Sequence, residues 1–162
     1  MNILLYDTPI SAQVPEDWTL IDAREKAAFC KGCFGCWLKT PARCVMSDRL
    51  ETVGSQLLQA ERLTIVSKCC YGGFSPAVKK ILDRCIPGVT PFFVTKRSNH
   101  GTKEQHHAPR YTNRMKLTVW FYGALDEEEK RIARELVCAN GLNYWAEEID
   151  VSFVDNPAEV SL

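Results

Sequence analysis

Strand-like apolar runs alternate with helix-like segments along this chain, and that alternation leaves few architectures open to it. Residues 2–7 (NILLYD) form an apolar run of buried-strand length, and residues 19–23 (TLIDA) form a weaker second one. Residues 47–60 carry Leu50, Val53, Leu57 and Leu58 at helical spacing, with Ser47 or Asp48 as the cap. A third strand is expected over 63–68 (LTIVSK). A helix is expected over 75–85, with Ser75 at its N-cap and Pro76 at its first position. Residues 115–122 (MKLTVWFY) predict a fourth strand. The best helix runs over 126–140, because Asp126 and Glu129 stand at capping-box spacing and Gly141 offers a stop. Residues 148–154 alternate, with Ile149, Val151 and Phe153 on one side, as a half-exposed edge strand does. Strands joined through single helices give a mainly parallel, five-stranded α/β sheet.

Two connections depart from that pattern. Residues 8–18 join the first strand to the second and are too few for a helix. Residues 86–114 read as a long basic loop with one short extended piece at 91–95.

The chain has 162 residues, which suits a single domain over 1–162. Twenty Lys and Arg balance twenty Asp and Glu, which argues against bulk attraction to nucleic acid or to an anionic membrane. The apolar runs are strand-length, so no transmembrane helix is expected. The N-terminus lacks a basic region and Asp7 interrupts its apolar run, so a cytoplasmic location is expected.

Eight cysteines are unusual for such a chain. In a reducing compartment, clustered cysteines point to metal or redox chemistry rather than to a disulfide framework. Cys30, Cys33, Cys36 and Cys44 have the spacing Cys-x2-Cys-x2-Cys-x7-Cys on a loop containing Gly32 and Gly35. Three thiolates so close, with a fourth closing from the other side, suit the four-thiolate demand of an iron–sulfur cluster. Structural zinc and a loop of free thiols are the alternatives, although zinc more often uses two separated cysteine pairs. Cys69, Cys70, Cys85 and Cys138 are dispersed and read mostly as small buried hydrophobes.

The stretch CKGCFGCWLKTPARCVMSD (30–48), followed by IVSKCCYGGFSPAVKKILDR (65–84), resembles the iron–sulfur flavoproteins and related NADPH-dependent FMN reductases. The resemblance covers residues 20–85 well, including Lys79, Asp83 and Arg84, and the remainder in outline. It implies a flavodoxin-like, doubly wound sheet, FMN and a [4Fe–4S] cluster as cofactors, and NAD(P)H as donor. The flavin ring would lie on Tyr71, Gly72, Gly73, Phe74 and Ser75 and on Tyr122 and Gly123. In a doubly wound sheet such loops, at the carboxyl ends of the strands, are where ligands bind. The family holds the FMN phosphate in a Ser/Thr/Gly-rich loop leading into a first helix. Here that region is DTPISAQ (7–13), which has no glycine, and Thr8 and Ser11 are the candidates that remain.

Residues 96–116 carry Lys96, Arg97, Lys103, Arg110, Arg114 and Lys116 against Glu104, together with His100, His106 and His107. They read either as a lid contacting phosphate or NAD(P)H, or as a solvated basic face.

The expected function is therefore electron transfer by an NAD(P)H-dependent FMN reductase-like oxidoreductase, with a redox partner and possession of a cluster at the four cysteines. The alternative is an FMN-free, flavodoxin-like subunit that carries a cluster or serves a structural role in a larger complex. The flavodoxin-like sheet would lack its first and last helices, since only eight residues follow the last strand. That would bare one apolar sheet face, and a homodimer pairing through it is expected.

Overall fold

The computed structural model describes residues 1–97 and 101–162. Five strands run parallel in one sheet: β1 (Asn2–Tyr6), β2 (Trp18–Asp22), β3 (Arg62–Cys70), β7 (Met115–Tyr122) and β8 (Ala146–Val154), in the order β2-β1-β3-β7-β8. A two-residue strand, β4 (Gly73–Phe74), folds back antiparallel on the end of β3. The helices are α1 (Gly35–Leu38), α2 (Val53–Gln59), α3 (Pro76–Leu82) and α4 (Glu127–Tyr144). Among the described residues none joins β1 to β2, and only a 3-10 turn, Pro157–Glu159, follows β8.

The strands alternate as their residues dictate. Ile3, Leu5, Leu63, Ile65, Leu117, Val119 and Phe121 face one side, where they pack against Val53, Leu57, Val78, Ile81, Ala133 and Val137 of the helices. Leu4 and Val66 face the other side. There the expectation of a bare face is corrected: Val160 is 4% exposed on Leu4 and Val66, and Ile10 and Val14 from the β1–β2 connection pack beside it. The two short segments lie where helices would cover a flavodoxin-like sheet, packed with Tyr6, Trp18, Trp120, Tyr122 and Val154. Leu4 and Val66 are thereby buried within the single chain.

Three further expectations are corrected. Residues 86–114 are not a loop: β5 (Val89–Arg97) and β6 (Lys103–Pro109) form an antiparallel hairpin, its own two-stranded sheet. Pro91 lies in the irregular stretch between Val89 and Phe93, where a missing N–H costs no ladder bond. The helix expected from residue 47 begins only at Val53, because the Asp48 carboxylate accepts the Leu50 N–H across a turn instead of capping. Gly141 does not stop α4. It is buried within the helix, and a Cβ there would stand 2.3 Å from Ile149 Cδ1, so glycine lets α4 close on β8. Trp145, in the left-handed region at φ 61°, ends the helix by donating to the Gly141 and Leu142 carbonyls. At the other end the capping box of Asp126 and Glu129 forms as its spacing implies.

Candidate functional site: a cysteine pocket with a buried arginine

The loop between β2 and α2 carries Cys30, Cys33, Cys36 and Cys44, and all four line one small pocket with Phe34, Val45, Arg84 and Pro87. Its backbone visits the left-handed region three times, at Gly32 (φ 62°), Phe34 (φ 52°) and Ala42 (φ 69°). For Phe34 and Ala42 that costs of order 1 kcal/mol each, a strain that clusters at functional loops. The turn at Gly32 lets its N–H donate to Cys30 Sγ at 3.5 Å. Gly35 is also constrained: a Cβ there would stand 2.6 Å from Val45 Cγ1, so the two arms of the loop close only over glycine. Cys44 is anchored by its own N–H, which donates to the Glu51 carbonyl at 2.7 Å.

The four thiols differ in exposure. Cys33 is exposed, Cys30 and Cys44 are half-buried, and Cys36 is buried. Burial pushes the Cys36 thiol up, and the neighbouring Cys44, Cys33 and Cys30 push in the same direction. Among the described residues, no group of three or more His, Cys, Asp or Glu side chains is disposed to hold a metal ion.

Arg84 is the component whose place in the pocket the sequence did not reveal. Its side chain is fully buried. Nη1 donates to Asp48 Oδ2 at 2.6 Å and to the Ala28 carbonyl at 3.2 Å. Nε and Nη2 are buried with no hydrogen-bond partner at ordinary distance, although the Cys44 thiol is near enough to interact with the guanidinium. Burial works against the charge, but Asp48 and the adjacent Cys44 outweigh it and hold the guanidinium protonated. Asp48 in turn lies below the usual carboxylate range, chiefly through Arg84, with the Ala28 and Leu50 N–H groups assisting against burial. Ala28 precedes the first cysteine by two residues and Asp48 follows the last by four, so Arg84 ties both stems of the loop together. One turn earlier on α3, Lys80 Nζ donates to the Ala23 and Glu25 carbonyls and secures the same stem.

The residues expected to hold FMN lie at the carboxyl ends of β1, β3 and β7, but they are differently engaged. Tyr71 (φ 53°) and Gly72 (φ 74°) make the turn between β3 and β4, with the Tyr71 side chain 94% exposed. A Cβ on Gly72 would meet Ile132 at 2.7 Å, whereas one on Gly73 would have room. Phe74 packs on Phe121 with ring centroids 5.2 Å apart. Ser75 is buried and caps α3 by accepting the Val78 N–H. Gly123 (φ 122°) donates its N–H to the Val154 carbonyl.

After β1, Thr8 and Ser11 lie on a helix-free connection that offers no set of helix N-terminal N–H groups. The Asp7 carboxylate stands there instead and accepts the Lys68 N–H at 3.0 Å. Tyr122 adjoins Thr8 and Asp7, and burial, with Asp7 beside it, pushes its phenol up. A carboxylate among these groups repels a phosphate, so the end of β1 does not fit the phosphate of FMN.

The basic stretch is also largely spent on the fold. Arg110 donates to the Pro87 and Val89 carbonyls. Arg114 pairs with Glu147, and Lys116 with Glu148 and Asp150. Lys96 lies over the Trp145 ring at 4.5 Å. His106 Nδ1 meets Asn143 Oδ1 at 2.9 Å, and the His107 ring packs between Trp37 and Phe93. His100 lies outside the described residues. Of the dispersed cysteines, Cys69 and Cys85 are buried, whereas Cys70 and Cys138 are half-buried.

No protein-family model matches the chain, and no curated protein matches it.

Proposed function

We propose that the chain is an electron-transfer module of flavodoxin-like fold, whose redox centre is a [4Fe–4S] cluster held by Cys30, Cys33, Cys36 and Cys44. The observation that carries this reading is the pairing of four cysteines with two buried Arg84 nitrogens that lack an oxygen acceptor in one pocket. A buried donor left unmade costs about 1–3 kcal/mol, and more when it is charged, so such donors point to an acceptor bound beside them. Four thiolates around a cluster would supply an anionic acceptor. When bound, the cluster supplies one-electron storage at a potential set by its surroundings.

The rest of the pocket suits that role. Phe34, Val45 and Pro87 line the pocket beside the sulfurs, the Gly32 N–H supports the Cys30 sulfur, and the exposed Cys33 would open the centre to a redox partner. The strand order β2-β1-β3-β7-β8 supports the flavodoxin-like part of the reading.

A second reading, an NAD(P)H-dependent FMN reductase-like enzyme, is favoured by the exposed Tyr71 beside Gly72 and Gly73 at the end of β3. The Asp7 carboxylate at the end of β1 counts against it.

Purification without air separates the two. Iron and acid-labile sulfide in equal amounts, lost when Cys36 is changed to serine, is the expected result. Flavin absorption bands without iron would favour the second reading. Zinc alone, or eight titratable thiols with no metal, would overturn the first.

A further inference from the structure

We infer that Arg84 is a positioning and charge-setting residue of the cysteine pocket: its Nε and Nη2 donate to the sulfur atoms of the centre held there, and Asp48 fixes the guanidinium in that direction. This rests on the cluster reading above. An arginine present only to brace the loop would spend its fork on protein acceptors. It has five N–H donors; protein oxygen acceptors are found for Nη1 alone, and the Cys44 sulfur is the other group that interacts with the guanidinium. The two nitrogens belong to a fully buried side chain that lines the cysteine pocket.

The backbone around Arg84 is held to match. A Cβ on Gly54 would stand 2.3 Å from the Arg84 carbonyl oxygen, so α2 closes on the chain at that residue without any slack. Asp48 receives three donors: the Ala28 N–H, the Leu50 N–H and Arg84. That carboxylate cannot swing away without losing all three. The pair therefore holds a fixed cation in the lining of the cysteine pocket, with Asp48 outside that lining.

A cation held beside a redox centre favours the form that carries one more electron, and hydrogen bonds to sulfur act in the same sense. Removing Arg84 therefore lowers the potential, and neutralising Asp48 raises it. No merely structural role predicts two opposite signs from the two partners of one ion pair.

The test uses the full chain and its Arg84→Gln, Arg84→Lys and Asp48→Asn variants, loaded under argon with ferric iron, sulfide and excess dithiothreitol as the reductant. Midpoint potential is read by redox titration with electron paramagnetic resonance, and iron per chain is measured alongside. Arg84→Gln is expected to titrate at lower potential than wild type, Asp48→Asn at higher potential, and Arg84→Lys between Arg84→Gln and wild type. If Arg84→Gln does not fold, the Arg84→Lys and Asp48→Asn shifts decide the matter by their signs. Loaded proteins with unchanged potentials would overturn this role for Arg84 while leaving the cluster reading intact. A wild-type chain that takes up neither iron nor sulfide would overturn both.

Discussion

Arg84 Nη1 lies 2.6 Å from Asp48 Oδ2, with the arginine side chain wholly buried and the aspartate side chain 25% exposed. This ion pair joins the end of α3 to the far stem of the cysteine loop. Breaking such a pair from one side leaves a buried charge uncompensated, which typically costs about 3–5 kcal/mol, and somewhat less here because Asp48 reaches solvent. Its pH dependence follows from Asp48, whose carboxyl is depressed in the folded state. The stability it contributes is fully present above the unfolded value of about 3.9 and is lost as pH falls through the lower folded value. Urea melts between pH 7 and pH 3 are expected to show wild type losing stability in acid. The Asp48→Asn variant should be less stable at pH 7 and lose less on acidification.

Gly54→Ala is expected to destabilise the chain by about 2 kcal/mol despite alanine's better helix propensity, because its Cβ meets backbone rather than a movable side chain. The contact is with the Arg84 carbonyl, so the damage should reach the cysteine pocket. Urea denaturation measures the first effect. A faster rate of Cys36 alkylation measures the second.

Val160→Asp places a carboxylate against Leu4 and Val66, where the valine is 4% exposed. Loss of its burial plus the buried charge should cost about 3 kcal/mol. The opened face should also associate, so light scattering over a concentration series is expected to show larger species for Val160→Asp than for wild type.

Free FMN is expected to keep its fluorescence when titrated with the wild-type chain, because Asp7 occupies the end of β1. Asp7→Ser removes that charge and should bind FMN more tightly than wild type does. Equal binding by both proteins would show that Asp7 is no barrier.

The thiols should react in order of their surroundings. Cys33 is exposed, whereas burial pushes the Cys85 thiol up to about 12. At neutral pH a thiol reagent should modify Cys33 first in the metal-free protein, and Cys85 only on unfolding. Mass spectrometry of partly labelled protein reads that order directly.

Local pattern was enough to settle the parallel sheet, both helix caps at Ser75 and Asp126, and the existence of a cysteine loop. Each depends on residues near in sequence: alternation along residues 115–122, a side-chain oxygen three residues before its N–H, thiols at short spacing. What the chain does over long distances stayed out of reach. Gly141 looked like a helix stop until β8 brought Ile149 against it, since only packing reveals why a glycine is needed inside a helix. Of the hairpin of β5 and β6, the extended piece at 91–95 is legible locally, whereas its pairing with β6 across a strand containing Pro91 is not. Val160 covers Leu4 from the far end of the chain, which closed a face that strand patterning left bare. Arg84 belongs with these. In sequence it is a basic residue near the end of the helix expected over 75–85, and only the approach of Ala28 and Asp48 from both ends of the cysteine loop makes it a buried cation beside the thiols.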